Sequence, residues 1–281
     1  MIRLGLIGYP LGHSLSPRLH QAALASFGLE GEYRLYPVEP QDHAGLTALV
    51  NRVRQGELDG LNVTIPHKQN VIPLVDELTP GARAIGAVNT LYRRGAQLCG
   101  HNTDAPGFLA DLKRFWQPAP DLPRRALVIG SGGGARAVVY ALLQDGWDVT
   151  IAAVLLDQAA ALVEAFRTLA AGRVLDVVPN TSESVRRVLE GTTLIVNASP
   201  VGMMPHDDES PWPAGLSFPP GAAVYDLVYN PRQTLFVRQA RQAGLPATTG
   251  LGMLIEQAAR AFECWTGRLP AREVMWKAVE E

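Results

Sequence analysis

Cysteine is nearly missing from this chain. Of 281 residues only Cys99 and Cys264 are cysteines, and they form no CxxC or zinc-ligand spacing and no disulfide framework. Both are expected to be buried packing residues in a reducing compartment. A surplus of positive charge is missing too, since 25 Lys and Arg stand against 27 Asp and Glu, for a net charge of -2. No broad basic surface is available to neutralise the phosphates of a nucleic acid or a membrane, so neither is an expected partner. An anionic ligand must be held by local groups. Long apolar runs are absent. The opening MIRLGLIG meets turn residues at once, too short for a signal-peptide core with its flanks or for a membrane span, and a cytoplasmic protein is expected. HExxH and clusters of Cys and His are lacking, so no metal is expected. There is no internal repeat or low-complexity tract.

What is present is a globular composition, 47% hydrophobic and long enough for two cores. Apolar runs of strand length alternate with segments of helical period: RLGLIGYP, PRLHQAALASFG, EYRLYPV, HAGLTALVNRVRQG, DGLNVTIP. This predicts an α/β fold. The helix-like PGFLADLKRFW then gives way to a proline cluster, QPAPDLP, typical of a connector. We place a boundary close to residue 105, with one α/β domain in residues 1–104 and a doubly wound one in residues 105–250. The alternation restarts there with RRALVIG, a glycine cluster, a helix and WDVTIAAV, and later strands are expected at TTLIVNAS and AAVYDLVY. The helical segment in residues 251–281 is expected to pack back on the first domain.

GLNVTIPHK, residues 60 to 68, carries more polar side chains than a plain strand needs. Strand alternation points Leu61, Val63 and Ile65 one way and Asn62 and Thr64 the other. Pro66 suits the first position of a helix, which would put His67 and Lys68 in its first turn. Lys68 then stands where the strand opens, and α/β sheets bind ligands outside the carboxyl ends of their strands. GHSLSP, residues 12 to 17, places Ser14 and Ser16 before another helix. Such hydroxyls can cap it, or can hold a carboxylate beside the exposed helix N–H groups; the residues alone leave both readings open. Asn89 and Asp104 bracket a hairpin, LYRRGAQLCG, turning at Gly95. Asp104 occupies a position where turn and cap residues are common, and its weight comes from its company.

In the second half a strand, a glycine turn and a helix give Gly130-x-Gly132-x-x-Ala135, the spacing of a dinucleotide fingerprint with alanine last. At the end of the next strand, an acid marks NAD and an arginine marks NADP. Here stand Ala152, Ala153, Val154, Leu155 and Leu156, with Asp157 slightly late. Neither determinant is present.

With GHSLSP, NVTIPHK, GAVNT, NTDAPGF, the glycine turn, NASPVGM, DLVYNP and GLGMLIEQAARAFECWTG in this order, the chain resembles the shikimate dehydrogenase family over nearly its whole length. The resemblance implies a substrate domain, a Rossmann-type nucleotide domain and an active cleft between them. It implies reversible NADP-dependent reduction of 3-dehydroshikimate to shikimate, on the route to chorismate and the aromatic amino acids. By motif, Lys68 and Asp104 would be the catalytic pair. Ser14 and Ser16, with Tyr229, would hold the substrate carboxylate, while Asn62, Thr64, Asn89 and Gln257 would bind its hydroxyls. Gly130, Ser131, Gly132, Gly133 and Gly134 would hold the pyrophosphate, and Met203, Leu227 and Gly250 would line the nicotinamide pocket. Ala153, Val154 and Leu155 occupy the positions where NADP-using relatives carry Asn-Arg-Thr. That departure predicts weak discrimination between NADP and NAD or an unusually high Michaelis constant for NADP.

For proton transfer, burial of Lys68 would favour its neutral form and Asp104 beside it the charged one. The expectation is that Lys68 donates during ketone reduction and accepts in the reverse direction, with Asp104 orienting it. His13 and His67 adjoin motif residues and are taken as supporting structure. Quinate or an amino analogue is the competing substrate, and a non-catalytic sensor on the same fold is the reading outside enzymes. Monomer and homodimer are both compatible with the sequence.

Overall fold

The computed structural model describes residues 1–280. They divide into two compact units, one made of Met1–Gly107 and the chain from Leu254 onward, the other of Phe108–Met253. In the first unit β1 (Ile2–Gly8), α1 (Ser16–Ser26), β2 (Gly31–Pro37), α2 (His43–Arg54), β3 (Gly60–Val63), β4 (Glu77–Leu78), α3 (Pro80–Ile85), β5 (Thr90–Arg94) and β6 (Gln97–His101) follow one another, and α4 (Asp104–Phe115) begins. Their sheet runs β2-β1-β3-β5-β6-β4. β1 is parallel to β2 and β3, and β5 is antiparallel to both β3 and β6.

Both faces of the centre of this sheet are covered, which is why β1 reads as an almost unbroken apolar run. Leu4 and Leu6 pack with Leu11, Tyr33 and Trp265 on one side. Ile7, Leu61 and Val63 join Val50, Val53 and Leu91 on the other. All four residues of β3 are buried. Asn62 therefore does not lie on an open polar face, as simple alternation predicts. Its side is roofed: a side chain on Gly60 would meet the Trp265 indole 2.1 Å away.

The second unit continues with β7 (Arg125–Ile129), α5 (Gly133–Gln144), β8 (Asp148–Ala153), α6 (Leu156–Phe166), β9 (Leu175–Pro179), α7 (Ser182–Val188), β10 (Leu194–Asn197), β11 (Ala223–Asp226), α8 (Leu235–Gln242) and β12 (Ala247–Thr249). Every strand pair is parallel, in the order β12-β11-β10-β7-β8-β9. Counted from β7, this is the 3-2-1-4-5-6 order of dinucleotide-binding sheets, whose ligand crevice opens where the winding reverses. That point lies between β7 and β10. The core there includes Leu127, Ile129, Ile195 and Val224, with Trp212 and, from α8, Phe236 in the same cluster. Two further helices, α9 (Leu251–Thr266) and α10 (Arg272–Glu280), end the described chain.

The segment after β3 is not a helix. Residues 65–71 form successive turns. Their carbonyls are claimed from outside: Ile65 O accepts from Tyr9 N, and Lys68 O accepts from Val88 N at 2.8 Å. Val71 N still donates to His67 O at 3.1 Å, but with the Ile65 and Lys68 carbonyls taken from outside this single helical bond does not extend into a ladder.

Candidate active site

Sheet direction alone gathers the first set of residues. Parallel β1 and β3 end at the same edge, and Thr64 follows β3 there, its N–H donating to Ile7 O at 2.8 Å. Gly8 lets it lie close, since a side chain there would meet Thr64 Cγ2 at 2.3 Å. β5 starts and β6 ends at this edge, with Thr90 opposite both Asn62 and His101, so Asn89 and the Asn102–Asp104 turn arrive together. α1 begins just beyond β1, where its cap position is Leu15 with no side-chain hydrogen bond. Ser14 Oγ accepts from Ser16 N at 3.3 Å.

Lys68 Nζ donates to Asp104 Oδ2 at 2.6 Å, with the two side chains only 15% and 6% exposed. Asp104 Oδ1 accepts from Asn89 Nδ2 at 2.9 Å, and the same amide approaches Gln257 Oε1 at 3.2 Å. A backbone donor fixes its orientation, since Thr103 N donates to Asn89 Oδ1 at 2.8 Å. Lys68, Asn89, Asp104 and Gln257 thus form one buried polar cluster. Asp104 heads α4, but the capping is done by Asn102, whose Oδ1 accepts from the N–H groups of Asp104 and Ala105 at 3.1 and 3.2 Å. Both carboxylate oxygens are thereby available to Lys68 and Asn89.

Asn62 serves this cluster from behind. Its Oδ1 accepts from Tyr33 Oη at 2.8 Å, and its Nδ2 donates to Asn89 O and Thr90 Oγ1. Thr90 Oγ1 in turn donates to Asn89 Oδ1 at 3.0 Å. A chain of donors therefore runs Tyr33, Asn62, Thr90, Asn89, Asp104. Both ends of the Asn62 amide are used inside the protein, so its contribution is to hold Asn89 rather than to offer an open group. The sequence reading missed Tyr33, Thr90, Asn102 and Thr103. For Asn102 a signal existed, an Asn two residues ahead of a helical acid. For Tyr33, 29 positions from Asn62, there was none. Tyr33 is itself fixed by His20, whose buried ring stacks on it at 4.4 Å and 6°. Burial holds the His20 imidazole down, to about 3. His67 is fully buried with Nε2 at 2.8 Å from Val38 O, a structural position.

In the second unit the glycine turn has the shape its spacing predicts. Gly130 has φ +112°, and a side chain there would lie 3.0 Å from the Ala198 and Ser199 backbone at the end of β10. Open space faces Gly132, which precedes α5 without a side-chain cap. Unpaired N–H groups at such a helix start favour an anion. Ser131 Oγ donates to Gln158 Oε1 at 2.7 Å. Leu227 comes within reach of Gly134, 3.4 Å from a side chain placed there, and its carbonyl crowds Gly250 at 2.3 Å. Met203, 38% exposed, lies in the loop after β10, and Tyr229 is half-buried in the loop after β11. That second loop is anchored by Asp226, whose carboxylate accepts from Asn197, Val228 N and Thr234. Burial pushes the Asp226 carboxyl up, to about 6, against these donors. Ala153 is buried, while Val154 and Leu155 are exposed.

A parallel sheet of this order, with a glycine turn at its reversal point, defines a dinucleotide-binding unit, here in one chain with a buried lysine–aspartate pair. Residues 6–91 match the shikimate dehydrogenase substrate binding domain, and residues 250–280 match the shikimate 5'-dehydrogenase C-terminal domain. The NADP(+) shikimate dehydrogenase of Synechocystis sp. is 39% identical over 98% of this chain and 94% of its own length. The shikimate 5-dehydrogenase of Thermus thermophilus, solved with NADP(H) and shikimate, is 40% identical with a TM-score of 0.86, covering 100% of this chain and 99% of that one. The quinate dehydrogenase of Corynebacterium glutamicum, solved with NAD, is 30% identical with a TM-score of 0.86, covering 99% and 98%. The chain belongs to the shikimate dehydrogenase family.

Proposed function

We propose that this protein is a shikimate dehydrogenase, catalysing the reversible nicotinamide-dependent reduction of 3-dehydroshikimate to shikimate. The observation that carries the reading is the Lys68–Asp104 contact at 2.6 Å, buried at the carboxyl edge of a sheet in a chain that also holds a dinucleotide turn. Residues 1–104 and the C-terminal helices supply the substrate side, and residues 105–250 the nucleotide side.

When bound, the nicotinamide supplies the hydride for reduction and accepts it for oxidation. The chain's own task at the oxygen is proton transfer. Lys68 Nζ gives a proton to the carbonyl oxygen as it becomes a hydroxyl, and in the other direction takes it back. Asp104 holds the ammonium in place through Oδ2, while Asn89 fixes Oδ1 and so the angle of the carboxylate. Thr64, Asn89 and Gln257 are assigned to the ring hydroxyls, Asn89 meeting Asp104 and Gln257 meeting Asn89. Ser14 and Ser16, with Tyr229, are the carboxylate-holding set. The uncapped start of α5 and Gly130–Gly134 fit a pyrophosphate. Met203, Leu227 and Gly250 are assigned to the nicotinamide pocket.

The test is a steady-state assay of shikimate and quinate, each with NADP and with NAD, on the purified protein. Turnover of shikimate well above quinate supports the assignment. Preference for quinate moves the protein to its quinate-oxidising relatives, and absence of turnover with all four pairs refutes the enzyme reading.

A further inference from the structure

The fit to a dinucleotide changes along the site. At the glycine turn it is good, but at the end of β8, where the ribose nearest the adenine is expected, the chain presents hydrocarbon. Val154, Leu155 and Leu156 are 84%, 63% and 42% exposed, consecutive and uncovered at the carboxyl edge of the sheet. A 2′-phosphate brings close to two negative charges, and placing them against aliphatic groups forfeits hydration without a partner in return. No Lys or Arg occurs in the sequence between Arg136 and Arg167. Arg136 is committed elsewhere, with its guanidinium over the Phe166 ring at 5.4 Å. Phe166 ends α6, ten residues and about 15 Å of helix rise from Leu156. Arg167 is paired with Glu164 at that same far end. The polar residue next in sequence, Asp157, is an acid that would repel the phosphate, and Gln158 after it already accepts from Ser131 Oγ.

We infer that Val154, Leu155 and Leu156 form a neutral seat for the adenosine ribose, so that this protein binds NAD about as tightly as NADP. The inference rests on the dinucleotide reading above and separates this chain from relatives named for NADP(+) alone. Val154 is the specificity-determining position. Its side chain is almost wholly in solvent, so an arginine fits there without repacking the core.

Isothermal titration of the wild type and of Val154→Arg with NADP and with NAD tests this directly, without reference to turnover. The wild type is expected to bind NADP no more than about twofold tighter than NAD, because no charge-assisted contact awaits the extra phosphate. Raising salt should weaken NADP no more than it weakens NAD, since no cation pairs with the extra phosphate. Val154→Arg should tighten NADP by about tenfold or more while leaving NAD within about twofold. A wild type that prefers NADP by tenfold or more overturns the inference, as does a Val154→Arg variant without gain for NADP. If neither nucleotide binds the wild type, the dinucleotide reading itself falls, a result distinct from either of these.

Discussion

Replacing Lys68 by alanine is the sharpest probe of the proposed chemistry, because two consequences of different size follow from one contact. Positioned acid–base groups contribute about 10²–10⁴-fold, so kcat should fall at least about a hundredfold, near 2.7 kcal/mol in the barrier. The groups assigned to substrate are untouched, so KM should move less than about fivefold. Stability should fall by less than a stranded buried charge would cost. Breaking a buried pair by removing one partner costs about 3–5 kcal/mol where the other charge is stranded. Asp104 is not stranded: its Oδ1 keeps the Asn89 N–H at 2.9 Å. It also heads α4, where the helix dipole favours a carboxylate by roughly 0.3–1 kcal/mol. The backbone bond from Val88 N to Lys68 O survives the change. We therefore expect a loss of about 1–3 kcal/mol, read as a lower urea midpoint at unchanged slope. Steady-state kinetics on the folded variant decides the matter. A kcat within about tenfold of wild type would refute the assignment of Lys68 as proton donor.

Tyr33→Phe strands the Asn62 carbonyl in the interior, at a cost of about 1–3 kcal/mol, and should lower kcat more than it raises KM. An unchanged kcat would disconnect Tyr33 from Asp104. Asp226 has a folded-state carboxyl raised to about 6 from 3.8, so its contribution to stability is full below about 4 and is lost as pH climbs to 6. Asp226→Asn should flatten that window in urea midpoints measured across it, and an identical slope in the variant would be decisive against it. His20 acts with the opposite sign: with its imidazole held at about 3, folding weakens as pH drops below 6.5 toward 3. His20→Phe should remove this acid-side loss, and a melting temperature that falls as steeply in acid as the wild type's would contradict the burial argument. Gly252→Ala would set a methyl 2.0 Å from Asp111 Oδ1 and disturb the Tyr225–Asp111 bond, at about 1–3 kcal/mol. A melting temperature equal to wild type would show that the helix yields there freely.

Local patterns carried the reading where they were decisive. The strand, glycine turn and helix at Arg125–Gln144 were legible because turn chemistry and periodicity coincide within twenty residues. The hairpin through Gly95, with φ +63°, was legible for the same reason. Lys68 and Asp104 could be paired only through resemblance, since they lie 36 positions apart and no local pattern brings them together. The helix expected from Pro66 failed because partners for its carbonyls lie far along the chain, at Tyr9 and Val88. Asn62 was set on the correct face but expected in the open, because alternation tells which residues share a face, not whether another element covers it. Short pieces such as β4, at two residues, carry too little pattern to be seen.

The Asn102 cap has a wider implication. A helix has a single opening position for a side-chain acceptor, and here an uncharged amide fills it, two residues ahead of the acid. The first carboxylate of α4 is thereby relieved of architectural duty and can spend both oxygens on neighbours from distant strands. Anyone transplanting this lysine–acid couple into a designed sheet would need to carry the amide along; otherwise the acid would be drawn back to its own helix, and the ammonium would lose its mate.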